Sequence, residues 1–321
     1  IHRVAPSPFS PPEDGVAASA SQPPVLSRRC RRNVISHFAP ITYEGDMTYN
    51  IFRPAFCVAP VLAACLGMAS ALYAQQTDAV TGAEILPGWR TETNTRMAAF
   101  SLTLLPGWKT YWRAPGDSGI PPQFDWSGSQ NVASVRIHWP RPTVFHINGL
   151  QQIGYHDQMV LPIEVTPVDP GSPMVLQARV DLGVCKEICV PASVDLHANL
   201  SGNGAGDPAI RDALRSRPDT SGEAGLSKIA CSVDPIDDGL RITATMNLPD
   251  QGGVETVVFE TADATVWVAQ SIASRSGSVL TATTEMVSNT GAPFGLDRSG
   301  VVVTVLGESG AVEIRGCPSA N

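Results

Sequence analysis

Positions 175–200 read VLQARVDLGVCKEICVPASVDLHANL, and this stretch decides the fold of the chain. Apolar and polar residues alternate over Val175–Leu182 and again over Ser193–Leu200. Alternation with a period of two is typical of a strand with one buried face, so the stretch predicts two neighbouring strands. Cys185 and Cys189 lie between them. The pattern therefore places two cysteines at the tip that joins two strands of a sheet.

A disulfide between these two cysteines would close a ring of about five residues, which stabilises a fold by only about 2 kcal/mol in the chain-entropy model. A ring this short can also depart from relaxed disulfide geometry, which makes the bond easier to reduce. Weak stabilisation and easy reduction together favour a pair that is oxidised and reduced in turn. Two alternatives stay open, an inert structural clip and a metal site completed by distant histidines. Those histidines are His138, His146, His156 and His197.

Met47 begins a segment with the features of a secretory signal. A basic residue and an apolar run over 55–72 are followed by small residues up to Ala74, so we expect a signal peptide at 47–74. Such a signal predicts secretion into an oxidising compartment, where disulfides persist. The competing interpretations are an uncleaved anchor and a lipoprotein in which Cys65, at the end of a lipobox-like tetrapeptide, receives the lipid.

Residues 1–46 precede this signal and are rich in proline and serine, with a basic run at Arg28–Arg32. Because a signal peptide acts at the N-terminus, we expect these residues to be a misassigned or disordered leader. A basic targeting arm is the alternative.

Residues 75–321 contain 16 basic and 26 acidic residues, a formal net charge of −10. A chain this acidic is a poor partner for nucleic acid or for an anionic membrane surface. Its apolar runs are all shorter than the about 18 residues that a membrane span needs, so no span is expected in the mature chain.

The composition predicts two β-rich regions, 84–200 and 226–321, separated by a linker at 201–225. Asp207 and Pro208 predict a short helix within the linker, as its N-cap and first helical residue. From Asp219 to the end of the linker we expect loop. Short alternating segments separated by turn residues fill both flanking regions. They predict an all-β chain of two immunoglobulin-like β-sandwich domains, joined by a linker with a short helix.

Several strands are predicted individually, and three tryptophans are expected in the sandwich cores. The strands lie near 132–138, 159–166, 240–248, 254–260, 264–270, 278–286, 300–306 and 311–316, and the tryptophans are Trp126, Trp139 and Trp267.

Four of the seven cysteines lie after the expected signal, which is an even number. Cys231 is on the first predicted strand of the second domain, and Cys317 follows its last strand. A disulfide between them would close a loop of about 87 residues and stabilise the fold by about 4–5 kcal/mol in the same entropy model. Cys231–Cys317 is therefore the predicted structural disulfide, and Cys185–Cys189 the labile one.

Positions 105–122, LPGWKTYWRAPGDSGIPP, resemble the signature of the N-terminal domain family of the thiol:disulfide interchange protein DsbD. The matching segments further along the chain are Trp139–Pro142, Gly154–Tyr155, Val160–Pro162 and Val184–Pro191. The resemblance covers residues 84–200 and implies an immunoglobulin-like periplasmic domain. Such a domain accepts electrons from a membrane thiol-disulfide reductase and passes them to oxidised periplasmic thiol proteins by dithiol–disulfide exchange.

On this basis Cys185 and Cys189 are the predicted catalytic residues, one attacking a partner disulfide and the other resolving the mixed disulfide. Cys189 is the preferred attacking thiol, and Lys186 is a candidate to stabilise a neighbouring thiolate. Tyr111 and Trp112 are candidates for an apolar shield over the pair, with core aromatics as the alternative. No cofactor or bound metal is expected. Two other functions remain open, a non-redox binding module with two structural disulfides and a copper-handling protein.

Overall fold

The structure, a computed structural model, describes residues 78–147 and 149–319. The expected leader at 1–46, the expected signal at 47–74 and the alternative lipidation site at Cys65 lie outside the described residues. Those described form nineteen strands and one short helix. No helix among them has the length and apolar character needed to cross a bilayer.

Ten strands form a first β-sandwich of two sheets. They are β1 (Val80–Arg90), β2 (Arg96–Leu104), β3 (Lys109–Gly116), β4 (Gln123–Asp125), β5 (Val132–Ile137), β6 (Thr143–Ile147), β7 (Leu150–His156), β8 (Gln158–Pro167), β9 (Met174–Cys185) and β10 (Cys189–Leu200). One sheet has the strand order β1-β2-β8-β5. The other has the order β10-β9-β3-β7-β6, with β4 paired to β9.

The alternation in β9 sorts its side chains between the two faces of the second sheet. Leu176, Val180 and Leu182 are buried in the core between the sheets, whereas Gln177 and Arg179 are exposed on the outer face. Even-numbered positions of β9 therefore face the core, as the period-two pattern predicts. Odd-numbered positions face outward.

The helix α1 (Pro208–Arg215) begins at the predicted residue. The Asp207 side chain accepts hydrogen bonds from two backbone N–H groups of the first turn, at 2.8 and 3.3 Å, as an N-cap does. Ile210 is fully buried and packs with Met97 and Ala99 of β2. The helix thus belongs to the outer surface of the first sandwich.

The linker is attached to both sandwiches. Arg96, almost fully buried, donates to the carbonyl oxygens of Ser201 and Gly202 at 3.2 and 2.9 Å. Further along, β11 (Asp219–Thr220) pairs in parallel with a strand of the second sandwich. The expectation of loop from Asp219 onward was therefore wrong at these two residues, since a two-residue strand is too short to leave a periodic pattern.

Eight strands follow β11 and complete a second β-sandwich. They are β12 (Lys228–Ile236), β13 (Gly239–Asn247), β14 (Thr256–Glu260), β15 (Val266–Val268), β16 (Ile272–Ser276), β17 (Val279–Ser288), β18 (Val302–Leu306) and β19 (Ala311–Arg315). The sheets have the orders β11-β19-β18-β14 and β12-β13-β17-β15, with β16 also paired to β17. The chain is therefore all-β, with two immunoglobulin-like sandwiches joined by a linker that contains a short helix.

The three tryptophans expected in the cores have different environments. Trp126 and Trp139 are partly buried and pack against the first core. Trp267 is 56% exposed, so its placement in a core was wrong. Its neighbour Val266 is the buried residue of β15, because successive side chains of a strand face opposite sides of the sheet.

An ion triad joins the two sandwiches. The guanidinium of Arg113, on β3, contacts both carboxylate oxygens of Glu260 at 2.9 Å and one of Glu313 at 2.7 Å. All three side chains are about four-fifths buried. The other face of the guanidinium lies 4.2 Å from the centre of the Trp112 ring. Bidentate geometry at a partly buried site makes this contact stronger than an exposed ion pair.

Candidate functional site

The two candidate redox cysteines lie on the outer face of the first sandwich. Cys185 is at an odd-numbered position of β9, and its backbone pairs with Lys109 of β3. Val184, beside it, faces the core. The Cys185 thiol is therefore directed away from the core between the sheets, although only 1% of the residue is exposed. Something other than the sandwich core must cover it.

Cys185 and Cys189 face each other across the β9–β10 hairpin, where they are direct register partners. Residues at opposite positions of antiparallel strands have Cα atoms about 4.5–5.5 Å apart. Disulfides accept Cα separations of about 4.4–6.8 Å. In the structure both cysteines are free thiols. The hairpin can therefore pass between dithiol and disulfide without changing its strand register.

Tyr111 covers the cysteine pair. Its side chain is fully buried, and its hydroxyl lies 2.8 Å from the Cys189 sulfur. The same hydroxyl donates to the Gln152 side-chain oxygen at 3.4 Å, and the Gln152 amide donates to the Ser118 hydroxyl at 2.7 Å. A tyrosine hydroxyl has one proton and can also accept. It can therefore accept from a neutral thiol while donating to Gln152, or turn its proton to a thiolate.

Two glycines make room for the tyrosine ring. A Cβ on Gly183 would lie 3.0 Å from Tyr111 Cδ2 and 2.7 Å from Ile120 Cβ. A Cβ on Gly119 would lie 2.7 Å from Tyr111 Cδ1 and 2.3 Å from the Pro115 side chain. The ring is thus held between β9 and the segment after β3. These contacts give a structural reason for the second glycine of the motif PGDSG and for Gly183 in β9.

The two thiols differ in burial, and burial affects the proton affinity of Cys185. Cys189 is only half-buried, and Ile188, next to it in the turn, is 76% exposed. Burial, followed by the hydrogen bond to Cys189, raises the pKa of the Cys185 thiol, and the contact with Tyr111 opposes part of this rise. Burial, together with the two thiols, raises the pKa of Tyr111 far above its ordinary value. Tyr111 therefore stays a neutral phenol at physiological pH, and Cys185 favours its protonated form.

The cation that affects the pKa of Cys185 is Lys109, which lies within the signature at 105–122 but was not among the predicted site residues. Its positive charge opposes the rise in the pKa of Cys185, and its ammonium lies 3.5 Å from the Lys186 carbonyl oxygen. The exposed Lys186 side chain extends over Gly107, with Cε 3.6 Å from the position of a Cβ there. Stabilisation of a thiolate by Lys186 stays a prediction. Lys109 could have been found only from the pairing of β3 with β9.

Tyr111 and Trp112, predicted together as a shield, lie on opposite faces of β3. Tyr111 contacts the cysteine pair, whereas Trp112 is fully buried within the core of the first sandwich. Within the described residues, the indole N–H of Trp112 has no hydrogen-bond partner. The shield over the thiols is therefore one aromatic ring, and Trp112 matches the alternative interpretation of a core residue.

The second pair, Cys231 and Cys317, forms a disulfide with Cα atoms 5.5 Å apart. Both cysteines are 1% exposed and belong to the core of the second sandwich. Arg298 donates to the carbonyl oxygens of both, at 3.0 and 3.4 Å. This bond fastens β12 to the segment that follows the last strand, β19.

Histidines do not join the cysteine pair. Across residues 78–147 and 149–319, no three histidine, cysteine or acidic side chains come together in a group that could hold a metal ion.

The fold and this site define a class of protein, a two-sandwich β chain with a covered dithiol on a hairpin. Residues 82–201 match the family model described as "Thiol:disulfide interchange protein DsbD, N-terminal". This part of the chain belongs to the DsbD N-terminal domain family, within the proteins of thiol–disulfide interchange. No curated protein matches the chain at a significant level.

Two solved structures are similar to parts of this chain. The N-terminal periplasmic domain of ScsB from Proteus mirabilis has 23% sequence identity and a TM-score of 0.56, covering 72% of this chain and 91% of its own. The reduced N-terminal domain of DsbD from Neisseria meningitidis has 16% identity and a TM-score of 0.25, covering 41% of this chain and 92% of its own. At this identity the ScsB domain supports the two-sandwich fold.

Proposed function

We propose that this chain is a periplasmic thiol–disulfide interchange protein that transfers electrons through Cys185 and Cys189. The observation that supports this most is the position of the two thiols, opposite each other on a hairpin under the Tyr111 hydroxyl. The location is supported by the signal predicted at 47–74 and by the similarity in fold to the ScsB domain, which is itself periplasmic.

The exchange begins at Cys189, the more exposed thiol. The Cys189 thiolate attacks one sulfur of a partner disulfide, the partner S–S bond breaks, and the second partner sulfur leaves as a thiolate that takes up a proton. Tyr111 stays protonated, so it can donate to the charge that forms on the Cys189 sulfur. This step leaves a mixed disulfide between Cys189 and the partner.

Cys185 then resolves the mixed disulfide. It loses its proton and attacks the Cys189 sulfur, the Cys185–Cys189 bond forms, and the partner leaves with its second thiol. Two electrons and two protons have passed to the partner. The raised pKa of Cys185 keeps this thiol in reserve until the mixed disulfide forms next to it. A membrane thiol-disulfide reductase returns the electrons by the reverse sequence.

The exposed turn offers a surface for such partners. Lys186, Glu187 and Ile188 connect the two cysteines, and all three are exposed. An apolar residue beside a reactive thiol gives a partner protein a contact to bury while the sulfurs approach.

The first experiment measures the reduction potential of the Cys185–Cys189 pair in the protein with the Cys231–Cys317 disulfide intact. We expect about −200 to −250 mV, which is the range of exchange proteins. A value below about −300 mV would mark a structural disulfide and favour the non-redox binding module instead.

A second experiment assigns the roles of the two thiols. Dithiobis(nitrobenzoate) is an aromatic disulfide whose thiol product is coloured. The reduced wild-type protein should release two equivalents of product and end with an internal disulfide. Cys185→Ser should release one equivalent and retain the mixed disulfide, whereas Cys189→Ser should react slowly because Cys185 is buried. Equal rates for the two variants would contradict the order of attack.

A further inference from the structure

A large cavity lies where the linker passes between the two sandwiches, away from the cysteine pair. Its volume is about 870 Å³. Its walls come from β3 and β5 of the first sandwich, from the linker around β11, and from β18 and β19 of the second sandwich. Binding sites for small molecules typically have volumes of about 300–1,000 Å³ and often occur between domains. The cavity is therefore large enough for an organic ligand.

The walls of the cavity are rich in positive charge, although the chain as a whole has a formal charge of −8. Four arginines line the cavity, against two acidic residues, Asp219 and Glu313. The arginines are Arg113, Arg136, Arg217 and Arg315, and they come from the first sandwich, the linker and the second sandwich. With four arginines against two acidic residues, the lining side chains carry an excess of positive charge in an otherwise acidic protein.

The charges converge from separate elements. His138, half-buried in the same wall, lies 3.3 Å from Glu164. Burial lowers the pKa of His138, and the nearby Arg217 and Arg136 lower it further, against the opposing effect of Glu164. Both guanidinium groups therefore act on one point of the cavity wall, although one is on β5 and the other in the linker.

Two of these arginines have no close carboxylate partner among the described residues. Arg113 forms ion pairs with Glu260 and Glu313, and Arg315 also binds Glu313 at 2.6 Å. Arg217 instead donates only to the carbonyl oxygen of Leu214, and no carboxylate in the described part of the chain forms an ion pair with it. Arg136 has only a long contact of 4.0 Å with Glu164. A guanidinium has five donors in a planar fork that fits carboxylate and phosphate groups.

We infer that this cavity binds an organic anion bearing carboxylate or phosphate groups, held between Arg136 of the first sandwich and Arg217 of the linker. The ligand would contact both the first sandwich and the segment that leads into the second. Binding would therefore hold the linker against the first sandwich at the junction of the two domains. Neither arginine contacts the cysteine pair, so binding does not depend on the thiol chemistry.

The test is isothermal titration calorimetry of the full chain at low ionic strength with two probes, citrate for carboxylates and inorganic pyrophosphate for phosphates. We expect one site for at least one probe, and the preferred probe identifies the ligand chemistry. Arg217→Gln and Arg136→Gln should each weaken binding by about tenfold or more, because a charge-assisted hydrogen bond is lost. Neither substitution touches the core, so the variants should fold.

The matched control is Arg241→Gln. Arg241 and Glu285 form an ion pair on the sheet of the second sandwich that does not line the cavity. The variant therefore loses the same charge and also leaves one acidic residue unpaired. It should bind the probe as the wild type does. Equal weakening in all three variants would show attraction to the overall charge only and would overturn the inference. The inference would also be overturned if neither probe bound at about 10 mM, a concentration far above the Kd expected of a functional site.

Discussion

The two cysteine pairs of this chain differ in almost every structural respect. Cys231 and Cys317 lie in the core of the second sandwich and are far apart in sequence, with a separation of 86. Cys185 and Cys189 are separated by three residues and lie on the outer face of the first sandwich under a single tyrosine ring. The comparison shows how one chain can separate two uses of the same chemistry. Burial in a core and a long loop favour permanence, whereas a hairpin tip with a removable cover favours exchange.

The largest expected effect tests whether the Cys231–Cys317 disulfide stabilises the second sandwich. Cys317→Ser opens a loop of about 87 residues and should lower the free energy of unfolding of the second sandwich by about 4–5 kcal/mol. Cys185→Ser, in the same oxidised protein, should cost no more than about 2 kcal/mol for its shorter ring. Urea unfolding of both variants measures the difference. Equal losses would remove the distinction between a stabilising pair and an exchanging pair.

The next effect tests the cover over the labile pair. Gly183→Ala places a Cβ against Ile120 and the Tyr111 ring, so overpacking should cost about 1–3 kcal/mol. The displaced ring should also expose Cys185, and its alkylation by iodoacetamide should be faster than in the wild type.

The control for the cover is Gly295→Ala. A Cβ on Gly295 meets no atom within 4 Å, so neither stability nor alkylation should change appreciably. If Gly183→Ala behaves like this control, the tyrosine ring is not confined by β9.

A smaller effect concerns the tyrosine hydroxyl. Tyr111→Phe keeps the ring and removes the group 2.8 Å from the Cys189 sulfur. Because a hydrogen bond to a charged sulfur contributes about 1.5 kcal/mol or more, the rate of reaction with dithiobis(nitrobenzoate) should fall about tenfold or more.

Tyr155→Phe is the matched control for the hydroxyl. The Tyr155 hydroxyl is buried and donates to the Pro140 carbonyl oxygen at 2.9 Å, away from both thiols. This variant should lose a comparable amount of stability and keep the wild-type exchange rate. A slower rate in both variants would assign the effect to stability and not to the site.

The smallest expected effect is a pH dependence. Folding raises the pKa of Cys185, so the native state binds this proton more tightly than the unfolded state. The stability contributed by the neutral thiol is present below the ordinary thiol pKa of about 8.5 and is lost as the pH rises through the higher folded value. The reduced protein should therefore lose stability above about pH 8.5, and Cys185→Ser should lose less. The urea concentration at the midpoint of unfolding, measured across the alkaline pH range, gives the loss of stability for each protein. Identical pH dependences for the reduced wild type and Cys185→Ser would contradict the prediction.

The fold followed from the sequence because its main signal is local. Period-two alternation identified β9, β10, β13 and β17, and the Asp207-Pro208 pair identified the start of α1. Alternation also carries information on the site. Cys185 has the same parity as the exposed Gln177 and Arg179, which already indicates the outer face. Trp267 was misplaced for a similar reason, since its size was given more weight than its parity.

The site itself was only partly predictable. The cysteine pair is visible in the sequence because its two members are close together. Its cover is not, because Tyr111 reaches Cys189 across 78 residues through the pairing of β3 with β9. Lys109 depends on the same pairing, and the Arg113 triad depends on how two domains meet. Local patterns indicate which face a residue occupies, but not which strand lies next to it.

The Cys231–Cys317 bond also has a mechanical consequence. It joins β12, near the start of the second sandwich, to the segment that follows the last strand, β19. A pulling force applied to the chain on either side would pass from sulfur to sulfur, and the residues between the cysteines would bear none of it. The part of the second sandwich between the two cysteines would therefore keep its length under tension, and only the chain outside the bond, including β11, would extend.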